Sequence, residues 1–109
     1  MRVLFDQGTP VPLRRLLAGH EVATAYERGW SSLKSGELLD AAEKAGFAVL
    51  VTTDTNLKYQ QQLTSRRIAI VVLATPSWPR IQAAAASVLA AVNGALAGSY
   101  IEVAIPYQG

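Results

Sequence analysis

Two aspartates follow apolar runs, at the points where two strand-like segments stop. Asp6 comes directly after residues 3–5 (VLF), and Asp54 comes after residues 49–51 (VLV) and two threonines. Short, continuously apolar runs are typical of parallel strands that are buried on both faces. Because the carboxyl ends of parallel strands meet at one edge of a sheet, we expect the two aspartates to share that edge.

A third acid, Glu37, lies in the first turn of a helix predicted to begin at the same edge. Carboxylates brought together repel one another, and a divalent cation compensates that repulsion. Oxygen ligands are those that Mg²⁺ and Mn²⁺ prefer, with positions left open for water and a phosphate. The pattern therefore predicts a Mg²⁺ or Mn²⁺ site in which Asp6, Glu37 and Asp54 are both the metal ligands and the catalytic residues.

Each of these acids also has a purely local interpretation. Asp6 is suited to start the turn that precedes Gly8 and a proline, and Glu37 complements the positive end of its helix dipole. Asp54 is suited to cap a segment that begins at Thr55 or Asn56. Local roles do not require the three side chains to point into one crevice, whereas a metal site does.

Two further side chains are candidate supporting ligands. Asp40 lies three residues after Glu37, on the same predicted helix face, and Asn56 carries an amide oxygen close to Asp54. An exposed helix aspartate and a turn asparagine are the local alternatives. The single histidine, His20, begins a predicted strand and is interpreted as structural. Metal-free cleavage of a phosphodiester generally needs a pair of acid and base groups, so a metal-bound water is the predicted nucleophile.

Positive charge is modest, with a formal net charge of +2 and a pI near 9.2. This balance permits contact with phosphates without establishing it. The candidate substrate-binding residues are Lys58 and Tyr59, which are nearest to Asp54 in sequence, together with Arg14, Arg66 and Arg67. If the phosphate belongs to a nucleic acid, Trp30 or Tyr59 would stack on an unpaired base. Solvated arginines and packing aromatic residues are the alternatives.

Strand-like and helix-like segments alternate along the chain. Strands are predicted at 2–5, 20–26, 48–53, 68–73 and 100–105, the last at an edge; helices at 10–17, 36–45 and 77–93; and a short helix or turn at 56–63. Alternation of this kind predicts right-handed crossovers and a mostly parallel central sheet flanked by helices. The expected fold class is therefore α/β, with residues 1–109 as a single domain.

Composition restricts the class of protein. Half of the residues are hydrophobic and 17% are charged, which excludes a disordered chain. Cysteine is absent, so thiolate metal sites are excluded and a reducing, cytoplasmic setting is expected. We expect no export signal, because the apolar run at the N-terminus is broken at Asp6. We also expect no membrane span, because the alanine-rich segment 83–97 is interrupted by polar residues. Its small side chains suit packing on the sheet or, alternatively, a homodimer interface.

The succession LFDQGTP, SGELLDAAEKAG and VLVTTDTN resembles the PIN-like ribonuclease family, in particular its compact toxin proteins. Family members show a strand ending in D-E-N-L-P, a helix that opens with an acid before two aliphatic residues, and a strand leading to T-x-D-x-D-F. The resemblance covers about the first 80 residues. It departs from the family at residues 7–9 (QGT in place of E-N-L) and at Asn56, where many relatives carry an acid.

The resemblance implies a metal-dependent endoribonuclease, the toxin of a toxin and antitoxin pair, with Asp6, Glu37 and Asp54 at the family's acidic positions. It also implies an RNA substrate, an antitoxin protein partner and a homodimer. The two departures leave open a degraded site that binds RNA or a partner without turnover. A receiver-like signalling module is a further alternative, although Gln7 follows Asp6 where a second acid is wanted and no lysine follows the run at 68–73.

Overall fold

A parallel sheet forms the centre of the molecule. The computed structural model describes residues 1–57 and 66–106, and within these ranges it contains five strands in the order β2-β1-β3-β4-β5 with every neighbouring pair parallel. The strands are β1 (Arg2–Phe5), β2 (Glu21–Thr24), β3 (Val49–Thr52), β4 (Ala69–Leu73) and β5 (Tyr100–Val103). The predicted α/β class with a mostly parallel sheet is confirmed, and β5 lies at an edge as expected.

The central strands are buried on both faces. Every residue of β3 and β4 is buried. Val49 and Val51 of β3 belong to one hydrophobic cluster, and Leu50 between them belongs to a second cluster on the opposite face. This arrangement explains why these segments are continuously apolar in sequence, since both sides of a parallel sheet must be covered.

Two helical segments cover the two faces before β3. Residues 10–17, predicted as a helix, form a 3-10 helix at Val11–Leu16, and its Leu13 packs in the first cluster. Pro10 and Pro12 have no backbone N–H to donate, which limits regular α-helical hydrogen bonding in so short a segment. The predicted helix at 36–45 is confirmed as α1 (Ser35–Lys44), which buries Leu38, Leu39 and Ala42 in the second cluster.

The alanine-rich segment differs from its prediction as one helix. It contains α2 (Trp78–Ala83) and α3 (Ala85–Asn93), separated at Ala84, where φ is −106° and ψ is 18°. Ile81 of α2 and Val88 of α3 are both fully buried in the first cluster. Both parts of the segment therefore contribute a buried side chain to the same cluster.

The strand order creates a crevice at the carboxyl edge of the sheet. The 3-10 helix that follows β1 packs on one face, and α1, which precedes β3, packs on the other. Because β1 leads to β2 on one side and β3 leads to β4 on the other, the strand order reverses between β1 and β3, and a topological switch point lies between their carboxyl ends. Within residues 1–57 and 66–106, the structure contains no helix with the length and apolar character needed to span a membrane.

Candidate functional site at the carboxyl ends of β1 and β3

The carboxylate of Asp6 stands at the switch point and is held on both oxygens. Its Oδ1 accepts a hydrogen bond from the Thr9 hydroxyl at 2.7 Å, and its Oδ2 accepts one from the Thr52 hydroxyl. Thr9 and Thr52 are 4% and 1% exposed, whereas Asp6 is half-buried. Two buried hydroxyls therefore fix the orientation of a partly accessible carboxylate.

The backbone around Asp6 explains this placement. The Asp6 amide donates to the Val51 carbonyl at 3.1 Å, which extends the β1–β3 pairing by one residue. The Asp6 carbonyl then accepts from the Thr9 amide at 3.2 Å, so the chain turns immediately. The local interpretation of Asp6 as the start of a turn is confirmed, and the same turn brings the Thr9 hydroxyl to the carboxylate and within 2.9 Å of the Val51 carbonyl.

Thr52 connects the two strand-terminal aspartates. Its hydroxyl donates to Asp6 and accepts from the Asp54 amide at 3.0 Å. Asp54 is half-buried, and its Oδ1 accepts from the Asn56 amide at 2.9 Å, the bond expected of an aspartate that begins a turn. Asn56 itself is exposed. Asp6 and Asp54 therefore share Thr52 as a common hydrogen-bonding partner.

Gly8 permits the close approach of the two loops. A β-carbon built at Gly8 would lie 2.7 Å from the Thr53 hydroxyl oxygen and 3.9 Å from Oδ1 of Asp6. The first distance is shorter than real β-carbon contacts, so a side chain at residue 8 would force the loops apart. The absence of a side chain at Gly8 thus has a packing reason in this chain.

Glu37 is engaged at the start of its own helix. It is exposed, and its Oε1 accepts a hydrogen bond from the Lys34 amide at 3.0 Å. This bond satisfies one of the amides left free at a helix N-terminus. The local interpretation of Glu37, a favourable acid in the first turn of α1, is therefore confirmed.

Asp40 and Arg66 lie together toward the opposite edge of the sheet. Arg66 precedes β4, and its guanidinium donates to Asp40 at 2.5 Å and to Glu43 at 2.8 Å. Burial raises the pKa of Glu43, but bonds from the Arg66 guanidinium and from the Arg67 and Ile68 amides outweigh it, so the pKa lies below its ordinary value. Glu43 and then Asp40 raise the pKa of Arg66. Asp40 and Arg66, both predicted site residues, therefore pair with each other at the edge opposite Asp6.

A cavity also lies at this edge of the sheet, where the amino ends of the strands meet. It has a volume of about 720 Å³, and its lining includes Asp40, Glu43, Lys44 and Arg67. Arg67 is exposed there, while its amide donates to Glu43 at 2.8 Å. Size alone does not make this cavity the functional site, because sites in open parallel sheets form outside the carboxyl ends of the strands.

Arg14 lies at the carboxyl edge but is paired. Its guanidinium donates to Glu27 at 2.6 Å, and this bond, with one from the Thr24 amide, lowers the pKa of Glu27. The predicted contacts Lys58 and Tyr59 fall outside the described residues. Arg14 is therefore the predicted substrate contact that the structure places on the same edge as Asp6.

The donor set at the switch point fits a hard cation in part. A carboxylate offers about four lone-pair sites, and the two hydroxyl bonds to Asp6 leave each of its oxygens able to accept again. Mg²⁺ commonly binds through one or two carboxylates together with water. Across residues 1–57 and 66–106, however, no three histidine or acidic side chains form a group that could hold a metal ion. The triad of Asp6, Glu37 and Asp54 therefore stays a prediction.

The two threonines of the site were not predicted from the sequence. Thr9 and Thr52 are buried polar residues that each contact Asp6. Threonines next to strand-terminal aspartates, three residues after Asp6 and two before Asp54, were the available signal.

Comparison of the chain with family models, with curated proteins and with solved structures finds no match.

Proposed function

We propose that this chain is a metal-dependent endoribonuclease whose site lies at the carboxyl ends of β1 and β3. One observation carries the proposal: Asp6 and Asp54 flank the topological switch point and share Thr52 as a hydrogen-bonding partner. A crevice at a switch point is the usual ligand site of an open parallel sheet. Two carboxylates that followed these strands into one crevice would suit a divalent cation and a phosphodiester.

In this proposal Asp6 and Asp54 hold Mg²⁺ or Mn²⁺. When bound, the ion polarises the scissile phosphate and lowers the pKa of an attacking water. Thr9 and Thr52 keep the Asp6 carboxylate in one orientation, so that it does not have to be ordered when substrate binds. Glu37 would be the third residue to hold the ion, in place of the hydrogen bond that it accepts from the Lys34 amide.

The sequence resemblance to PIN-like toxin proteins supports a proposal for the cellular role, the partner and the assembly of this protein. It favours the toxin of a toxin and antitoxin pair, acting on RNA in the cytoplasm, with an antitoxin protein as partner and a homodimer as the assembly. The absence of cysteine is compatible with that reducing compartment.

The degraded site is the second candidate, and the capping bond of Glu37 favours it. With Glu37 directed to its own helix, Asp6 and Asp54 alone carry less negative charge than a cluster of three acids. Metal affinity would then be low, and the protein would bind RNA or a partner without cleaving it.

The deciding experiment compares cleavage and metal binding in matched variants. Wild type, Asp6→Asn and Asp54→Asn are incubated with single-stranded RNA in Mn²⁺, Mg²⁺ or chelator, and Mn²⁺ binding is measured by electron paramagnetic resonance. Glu21→Gln is the control, because Glu21 is an exposed acid at the start of β2, at the other edge of the sheet.

We expect metal-dependent cleavage by wild type and by the control variant. Loss of the hydrogen-bonding partner of a metal ligand costs up to about 100-fold in activity. Loss of the ligand itself should cost at least as much, so Asp6→Asn and Asp54→Asn should each cleave at least about 100-fold more slowly and should not bind Mn²⁺. RNA binding without metal binding or cleavage in wild type would instead establish the degraded site.

A further inference from the structure

A small cavity lies beside Asp6, and apart from Asp6 its lining contains none of the proposed metal ligands. It has a volume of about 140 Å³, and its lining includes Asp6, Gln7, Trp30, Ser31 and Ser35. We call it the Trp30 pocket. Sites for drug-sized molecules usually exceed about 300 Å³, so this pocket suits a single ring-sized group.

The charge of the lining excludes a phosphate as the preferred occupant. Among the described residues that line the pocket, Asp6 is the one charged side chain, and neither lysine nor arginine is present. A phosphate would therefore meet a carboxylate without a compensating cation. The Gln7 amide and the hydroxyls of Ser31 and Ser35 instead offer neutral donors and acceptors.

Trp30 is held in place before any ligand binds. Its amide donates to the Ala25 carbonyl at 2.8 Å, and its carbonyl accepts from the Leu33 amide at 3.0 Å. The indole packs edge to face with Phe47, with ring centroids 6.1 Å apart, and the Arg28 guanidinium lies 4.8 Å from its centroid. A fixed aromatic wall loses little conformational entropy when a flat group packs on it.

We propose that the Trp30 pocket receives one unpaired nucleobase of the RNA, adjacent to the phosphodiester at Asp6. This inference rests on the proposed function and adds a base-binding subsite beside its carboxylates. A flat, neutral group with hydrogen-bonding edges matches the lining, and only a base outside a duplex can be turned into such a pocket.

The two tryptophans of the chain allow a direct test. Trp78 packs against the first hydrophobic cluster, on the other face of the sheet from α1 and Trp30. Trp78→Phe leaves Trp30 as the single tryptophan, and Trp30→Phe leaves Trp78 as a remote reporter. Each variant, checked for folding by circular dichroism, is titrated in chelator with a short unpaired RNA, with the same RNA in a duplex, and with ribose 5-phosphate.

We expect unpaired RNA to change the Trp30 emission in a saturable way, while the duplex and ribose 5-phosphate do not. Trp78 emission should not respond in the matched variant. Trp30→Ala should weaken binding of unpaired RNA about 5- to 100-fold, the range that loss of one stacked base produces. Gln7→Ala, at an exposed residue, should weaken it several-fold without affecting folding.

The outcomes separate the pocket from the nuclease. A Trp30 response without metal-dependent cleavage would refute the nuclease and retain the pocket as a base-binding site. Cleavage that is equal for paired and unpaired RNA, with an unresponsive Trp30, would overturn the pocket and retain the nuclease. An equal response to ribose 5-phosphate would also overturn the pocket, because the base would not be what is bound.

Discussion

Substitution of Gly8 by alanine tests whether the two loops of the site are as close as the structure shows. The added β-carbon would lie 2.7 Å from the Thr53 hydroxyl oxygen. Reaching an ordinary 3.4 Å separation requires a relative shift of about 0.7 Å. Thr53 is β-branched and half-buried, so it has few alternative rotamers to adopt. Overpacking of this kind costs about 1–3 kcal/mol of unfolding free energy.

The assay is urea unfolding of a double-mutant cycle. Gly8→Ala is combined with Thr53→Ala, which removes the clashing atom, and separately with Thr53→Val, which retains an atom of similar size at that position. We expect the alanine double variant to recover most of the lost stability, with a coupling of about 1 kcal/mol or more, and the valine double variant to recover none. A Gly8→Ala protein within about 0.5 kcal/mol of wild type, or equal stability of the two double variants, would refute the predicted clash.

Three further results are expected. Glu37→Gln should still accept the hydrogen bond from the Lys34 amide but should lose metal-dependent cleavage. Glu37→Ala should lose that cleavage and also about 0.5–1 kcal/mol of unfolding free energy. If Glu37→Gln and wild type cleave RNA equally, Glu37 is not a metal ligand. The pKa of Glu43 is lowered in the folded state, so ionised Glu43 stabilises the fold above its ordinary pKa of 4.5, and this stabilisation is lost as the pH falls through the folded-state pKa. The free energy of unfolding of Glu43→Gln, measured in urea, should therefore depend less on pH in that acidic range than that of wild type. Arg66→Met should lower the free energy of unfolding by about 1–2 kcal/mol, a value between those of exposed and of buried ion pairs. The control Arg67→Met, at an exposed residue, should change it by no more than about 0.5 kcal/mol. Equal urea midpoints for Arg66→Met and wild type would show that the ion pairs do not stabilise the fold.

The sheet could be predicted because its signals are local. Runs such as residues 49–51 and 69–73 are apolar at every position, and a segment buried on both faces needs no distant partner to show that pattern. The apolar stripe of α1 and Gly46, a glycine placed where that helix ends, are likewise visible within one short window. The break at Ala84 was not visible, because an alanine-rich segment is equally suited to one helix or to two.

The site was predictable only as far as strand ends are. Asp6 and Asp54 were expected at one edge, and the parallel register of Phe5 with Val51 places them there. The hydroxyl of Thr52 reaches Asp6 across 46 residues of chain, and no local pattern encodes which side chain meets a carboxylate at that separation.

The amino-acid sequence by itself determined where the chain becomes strand or helix and which residues follow the strands, since burial periodicity and turn chemistry act over a few residues. Only the tertiary structure decided the partners: Thr9 and Thr52 on Asp6, the Lys34 amide on Glu37, and Arg66 on Asp40. Those choices depend on strand order and register, which set distances between residues far apart in the chain and are fixed by the packing of both faces of the sheet at once.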